Sequence, residues 1–128
     1  MSRNDGWGLE GVRSVSEAFM HVAGANYFLT TTFGGEMPEG IGPDLEQRVT
    51  SKDEAVRVLR ESVAHVEEVL AGVDESDLPE TRQLFGRELT GYQVLLIILG
   101  HGHEHLGQAI AYARANGVVP PWSGGGEG

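Results

Sequence analysis

Three stretches of the chain repeat apolar residues every three or four positions, which is the spacing of one face of an α-helix. Each stretch begins with a capping-box pattern, in which a Ser or Thr precedes a Glu or Gln by three positions. The three pairs are Ser14 with Glu17, Ser51 with Glu54, and Thr90 with Gln93. The pattern predicts three long helices, over about Val15 to Thr31, Lys52 to Ala71 and Gly91 to Asn116. In the second helix the apolar residues that share one face are Val56, Leu59, Val63, Val66 and Leu70.

The connections between these helices carry loop signals. Gly34 to Pro43 contains four Gly and two Pro and is typical of a loop. The second connection, Asp74 to Leu89, contains Pro79, and its residues 83–85 fit either an extended piece or a single turn. We predict one domain over residues 1–122 and a flexible Gly-rich tail over 123–128.

The third predicted helix is apolar on two opposite sides. One face carries Val94, Ile98, His101, His105, Gln108 and Tyr112. The opposite face carries Leu96, Leu99, His103, Leu106 and Ile110. A helix that is apolar all round is usually covered all round, so we expect something outside the chain to contact it.

Composition and charge exclude several classes of function. The chain has 128 residues, and its 19 acidic against 9 basic side chains give a net charge of −10. This charge disfavours nucleic acid and anionic membranes as partners. There is no cysteine, so disulfides, cysteine metal sites and a cysteine nucleophile are excluded. The longest apolar run has six residues, and residues 1–11 lack the apolar core of a signal peptide, so we expect a cytoplasmic protein.

Two histidines on the third helix have the spacing of a metal-binding pair. His101 and His105 are four positions apart, which places both rings on one helix face, one turn apart. They lie in an otherwise apolar stripe, where unpartnered polar groups cost a few kcal/mol. A metal ion would satisfy both rings, whereas the alternative is a pair of ordinary surface or core histidines.

His21, on the first helix, is a candidate third ligand, although a lone histidine among small residues is more often part of the core. Three nitrogen ligands would leave an open coordination position, as in catalytic rather than structural metal sites. Glu17 shares this face one turn away, and we interpret it as a capping residue. We expect His65 to be a solvated surface residue and His103 to be a core or interface histidine, both outside the site.

Two segments resemble the DinB-like family. The stronger match is His101-Gly-His-Glu-His105-Leu-Gly-Gln108, followed by a Gly117-Val-Val-Pro-Pro121 turn. The segment from Val12 to His21 resembles the part of the family that carries its first metal histidine. The resemblance spans about residues 7–123 and implies an all-α, up-and-down helical bundle with three long helices in this chain.

The resemblance also implies a function. It implies a divalent metal ion, such as Zn or Ni, held by His21, His101 and His105. Bacterial members dominate the family, and its characterised members catalyse transfer or isomerisation reactions that depend on low-molecular-weight thiols. The resemblance therefore implies a thiol and an electrophile as small-molecule partners. Glu17, Tyr27 and Gln108 are candidate orienting residues. The alternatives are a metal-binding module without chemistry and a helical interaction module.

The resemblance implies a first helix of roughly thirty residues before the segment that begins at Val12, and this sequence starts almost at that point, so that either the helix was lost or the chain is a truncated form. The absence of this helix agrees with the second apolar face of the third helix. We therefore expect a homodimer or larger oligomer, formed through the groove that such a helix would fill.

Overall fold

The computed structural model describes residues 13–123. Within that range lie the four helices α1 (Val15–Thr30), α2 (Leu45–Arg48), α3 (Lys52–Ala71) and α4 (Gly91–Ala115), and the two strands β1 (Thr81–Leu84) and β2 (Arg87–Thr90). Short 3-10 turns cover Thr31–Phe33, Glu75–Asp77 and Pro121–Ser123. The predicted helical fold is confirmed, and the three long helices match their predicted bounds to within one residue. The N-terminal segment considered for a signal peptide lies outside the described residues, as does the predicted tail apart from Ser123.

Capping side chains fix where the long helices begin. Ser14 accepts a hydrogen bond from the Glu17 amide, and the Glu17 carboxylate accepts one from the Ser14 amide at 2.8 Å. Thr90 and Gln93 make the same reciprocal pair at the start of α4. At α3 the Ser51 hydroxyl accepts from the Glu54 amide. These bonds satisfy amide groups that have no partner inside the first turn of a helix.

Helix α1 is the central element because both core clusters include it. The first cluster joins α1 to α2 and α3 through Met20, Ala23, Leu45, Val49, Ala55 and Val58. The second joins α1 to β1 and α4 through Leu29, Leu84 and Val94. Since α3 and α4 contact different sides of α1, a groove stays open between them, with α1 as its floor.

The contacts also give the directions of the helices. Asn26 donates a hydrogen bond to Ser62, and Met20 shares a cluster with Ala55, so α1 and α3 run the same way. The connection over residues 31–51, which contains α2, makes this possible by crossing back along the bundle. Helix α4 runs opposite to α1, because Leu29 near the end of α1 contacts Val94 near the start of α4.

A β-hairpin places the start of α4. The sequence left residues 83–85 as either an extended piece or a single turn, and the structure contains both. Residues 83 and 84 belong to β1, which pairs antiparallel with β2 from Thr81–Thr90 to Leu84–Arg87, and Phe85 follows in the turn. Phe85 and Gly86 form the turn with φ angles of 53° and 70°, the left-handed conformation that two-residue hairpins require. Arg82 donates to the Thr32 carbonyl and so ties the hairpin to the end of α1.

The buried face of α3 is rotated from the apolar stripe that the sequence suggests. Its buried residues are Ala55, Val58 and Ser62, whereas Val63 is 46% exposed. Leu59, Val63 and Val66 line the groove instead. Two of the three residues that face α1, Ala55 and Ser62, are small, because the two helices lie close together there.

One face of α4 is exposed and apolar. Leu96 is 67% exposed, and Leu99, Leu106 and Tyr92 are each more than half exposed. This is the second apolar face that the sequence pattern shows, and nothing within residues 13–123 covers it. Among the same residues, no helix is both long enough and apolar enough to pass through a membrane.

Candidate metal centre

Three histidines from two helices meet at the middle of the α1–α4 contact. Nε2 of His21 lies 3.2 Å from Nε2 of His101, and one ring nitrogen from each of His21, His101 and His105 falls within 4.8 Å of the others. The ring centroids lie 4.5 to 5.1 Å apart. The structure therefore brings together the three residues singled out from the sequence.

Helix geometry explains the convergence. His101 and His105 are one turn apart on α4, and the antiparallel crossing sets His21 of α1 between them. Their stripe continues into the core at Ile98 and Val94, which hold this face of α4 against α1. The rings are half-buried at the contact between α1 and α4.

The donor set fits a divalent transition metal ion. Two nitrogens bound to one zinc ion at 2.0–2.1 Å in tetrahedral geometry lie about 3.3 Å apart, close to the 3.2 Å between His21 and His101. On His101 the nitrogen that faces His21 is Nε2, and the other ring nitrogen, Nδ1, is buried without a hydrogen-bond partner among the described residues. A set of three imidazoles suits Zn, Ni, Cu, Fe or Co and leaves a coordination position open.

The surroundings keep two of the imidazoles neutral. Burial lowers the pKa of His21 below its ordinary value of 6.5, and the Arg13 guanidinium lowers it further, against the opposing effect of Glu46. Burial also lowers the pKa of His101, followed by the effects of His105 and His21. A neutral imidazole has the free lone pair that metal binding requires.

Polar neighbours orient two of the rings. Nδ1 of His21 lies 3.9 Å from the Glu46 carboxylate, which directs Nε2 toward His101. Nδ1 of His105 lies 3.0 Å from Oε1 of Gln108, whose amide group donates to the Tyr112 hydroxyl. Such partners of metal-binding histidines fix the tautomer and the angle of the ring. The predicted orienting role of Gln108 agrees with this contact.

Sequence reasoning missed Glu46, which lies on the four-residue helix α2. Leu45 and Val49 are both buried, and this apolar pair four positions apart was the available signal for a helical turn. Their burial against α1 and α3 turns Glu46 toward His21.

The other candidates lie elsewhere. The interpretation of His65 as a solvated residue is wrong: its ring lies 4.8 Å from that of Tyr27, and its Nε2 is buried without a hydrogen-bond partner. The cause is the rotation of α3, which turns His65 toward α1. Tyr27 thus contacts His65 rather than the metal cluster.

His103 lies outside the cluster, as expected. It is exposed, so the expectation of a core position is wrong. Glu17 completes the cap of α1, as interpreted.

The groove between α3 and α4 passes directly beside His105. It has a volume of about 970 Å³, within the range of small-molecule sites. Its walls are mainly apolar, with Phe19 and Val22 from α1, Val63 from α3, and Leu106 from α4. A molecule that binds in this groove would reach the side of the cluster that His105 presents.

Comparison with known proteins gives one family. The model of the DinB superfamily matches residues 9–109, a range that includes all three clustered histidines. No curated protein sequence and no solved structure matches the chain.

Proposed function

The chain belongs to the DinB superfamily, and from this membership and its three-histidine cluster we propose that it is a metal-dependent enzyme acting on small molecules. The observation that carries the proposal is the approach of His21, His101 and His105 to within 4.8 Å beside an apolar groove. We propose that these residues hold a divalent ion such as Zn or Ni, and that the protein activates a low-molecular-weight thiol or water for transfer, isomerisation or hydrolysis.

The residues have separate roles in this proposal. A divalent ion held by three imidazole nitrogens would lower the pKa of a bound thiol or water toward neutrality. Oε1 of Gln108 accepts the Nδ1 proton of His105, which leaves the free lone pair on Nε2, and the negative charge of Glu46 near Nδ1 of His21 favours the same tautomer there. Phe19 and Val22 line the groove and would exclude water from an electrophile bound there.

The thiol in this proposal comes from outside the chain, because the chain contains no cysteine. Small thiols are kept reduced in the cytoplasm, and we propose that the protein acts there. The thiol and its electrophile are the proposed small-molecule partners.

Metal titration of purified, metal-stripped protein tests the first half of the proposal. We expect one equivalent of Zn²⁺ or Ni²⁺ to bind, and His21→Ala, His101→Ala and His105→Ala each to weaken binding by about 100-fold or more. His103→Ala is the matched control, since it removes an exposed imidazole from the same helix and should leave the affinity unchanged. Equal affinity in all four variants would contradict the site.

A screen of small thiols with electrophilic acceptors, run on metal-loaded protein, tests the second half. We expect turnover that depends on both the metal and the thiol, or on metal alone if water is the nucleophile. The alternative function is a metal-binding or helical interaction module without chemistry, and the exposed apolar face of α4 is the observation that favours the interaction module. Stoichiometric metal binding without turnover of any thiol or hydrolysable substrate would favour this alternative.

A further inference from the structure

The groove between α3 and α4 differs in charge from the chain as a whole. The chain carries 19 acidic and 9 basic side chains. The described residues that line the groove include two cations, Arg13 and Lys52, but no carboxylate. Because an acidic surface repels anions, a lining without carboxylates spares a bound anion that repulsion. The groove therefore favours a negatively charged ligand over a positively charged one.

Lys52 carries the charge that such a ligand can use. The Arg13 guanidinium already donates a hydrogen bond to the Glu46 carboxylate, which compensates its charge. Lys52 is the single lysine of the chain, and its exposed side chain makes no hydrogen bond or ion pair with another residue in the range 13–123. It is also the first residue of α3, where the helix dipole adds positive potential.

The other polar side chains of the lining are already engaged. Asn26 donates a hydrogen bond to the Ser62 hydroxyl. Gln108 and Asn116 donate to the hydroxyl and the carbonyl oxygen of Tyr112, respectively. Most of the remaining lining is aliphatic or aromatic. The groove thus presents one uncompensated cation at the end of a mainly apolar channel.

The register of α1 and α3 gives the distance between this cation and the histidine cluster. Asn26 contacts Ser62, which lies 36 positions further along the chain. The same offset sets Lys52 level with Ser16, five residues before His21 on α1. Five residues advance about 8 Å along a helix. Packed helices lie 8–10 Å apart, so the backbones of Lys52 and His21 are separated by about 12 Å.

We propose that the groove takes an elongated apolar carboxylate, with its anionic end on Lys52 and its reactive end at the metal centre beside His105. An extended chain advances about 1.2 Å per bond, so a molecule of about eight to ten bonds spans the distance. Phe19, Val22 and Val63 would cover its apolar body. A cationic molecule would be repelled by Lys52, and a neutral one would gain nothing from it.

This inference names the chemical class of the electrophile, and for the chemistry it rests on the proposed function. Recognition of the carboxylate does not, because Lys52 is not one of the three clustered histidines. Binding can therefore be measured on metal-stripped protein, apart from any turnover.

Isothermal titration of the full chain with three probes of equal chain length tests the recognition. The probes are decanoate, decanol and decyltrimethylammonium. We expect decanoate to bind most tightly and decyltrimethylammonium most weakly. Lys52→Gln should weaken the binding of decanoate by about fivefold and leave that of decanol unchanged. The difference between wild type and variant should shrink at high salt, because salt screens an exposed ion pair.

Arg60→Gln is the matched control. Arg60 is also an exposed cation of α3, but it does not belong to the described lining of the groove. Its replacement changes the net charge by the same amount and should leave the affinity for decanoate unchanged. Equal losses in the two variants, or decanol bound as tightly as decanoate by the wild type, would overturn the proposal.

A second measurement needs no substitution. Because Lys52 is the single lysine, an amine-acetylating reagent modifies its side chain and the terminal α-amino group, which serves as the internal reference. We expect saturating decanoate to slow acetylation of Lys52 severalfold relative to that reference, as measured by mass spectrometry. An unchanged rate at Lys52 under saturating decanoate would contradict the proposed anchor.

Repeating the titrations with Zn²⁺-loaded protein separates this proposal from the metal centre. We expect Lys52→Gln to weaken the binding of decanoate with and without the metal. Binding that requires Zn²⁺ and ignores Lys52 would place the carboxylate on the metal ion and overturn the anchor, while the metal centre would stand. Failure of the protein to bind Zn²⁺ would refute the metal centre and leave the metal-free titration as the test of Lys52.

Discussion

Glu46 lies 3.9 Å from Nδ1 of His21 and links the shortest helix of the fold to the three-histidine cluster. The same carboxylate accepts a hydrogen bond from Arg13, so it is held from two sides. The side chain is only 22% exposed. These contacts indicate that α2 supports the site although it contributes no ligand.

Replacing Glu46 should therefore weaken metal binding without removing a ligand. We expect Glu46→Gln to lower the affinity by about tenfold, the lower end of what partners of metal-binding histidines contribute. Asp44→Asn is the control, since Asp44 is an exposed acid just before the same helix and carries the same charge. Isothermal titration with Zn²⁺ measures both. Equal losses in the two variants would indicate a general charge effect instead of an oriented ring.

Metal binding should weaken at acid pH. A protonated imidazole cannot bind a metal ion, and the pKa values of His21 and His101 are lowered from 6.5. Because of this direction, the two nitrogens stay free at pH 7, and we expect the affinity to fall only once the pH drops below about 6. Titrations between pH 5 and 8 measure the dependence. An affinity that does not change over this range would indicate carboxylate ligands.

Gly107 makes α4 less stable than an alanine at the same position would. A Cβ added there meets no atom within 4 Å, and the residue is exposed in the interior of the helix. We expect Gly107→Ala to raise the free energy of unfolding by about 0.5–1 kcal/mol. Gly91→Ala is the opposite case at the start of the same helix, since its Cβ would lie 2.8 Å from the Leu78 carbonyl oxygen. Urea unfolding should show stabilisation of the first variant and destabilisation of the second.

The buried bond between Asn26 and Ser62 should contribute to the contact of α1 with α3. The amide of Asn26 donates to the Ser62 hydroxyl at 3.1 Å, and both residues are buried. Ser62→Ala leaves that amide without its acceptor, and we expect a loss of about 1–3 kcal/mol. A double-mutant cycle with Asn26→Ala measures the coupling, which should be favourable. Additive losses would show that the bond contributes nothing beyond the two separate side chains.

The long helices and the three ligands were predictable because their signals are local. A capping box needs four consecutive residues, and His101 and His105 lie one turn apart on one helix. His21 is different: its approach to His101 depends on how α1 crosses α4, and helical periodicity alone left it as a lone histidine. The family resemblance supplied what the spacing could not.

The parts that the sequence did not predict depend on contacts distant along the chain. Five valines and leucines mark an apolar stripe on α3, yet Ala55, Val58 and Ser62 face α1, and the alanine and the serine allow the two helices to lie close together. The same rotation buries one nitrogen of His65. The hairpin was ambiguous because β1 is short and polar, with only Leu84 buried, so alternation over four residues gave little signal.

His21 and His101 lie 80 positions apart along the chain, yet their Nε2 atoms are 3.2 Å apart. A cation bound between them would close a loop that contains α2, α3 and the hairpin, so most of the folded chain would lie inside one chelate ring. Separation of α4 from α1 would then require at least one of these histidines to release the cation. A bound cation would accordingly hold the two distant parts of the chain together and make opening of the fold at this contact rarer.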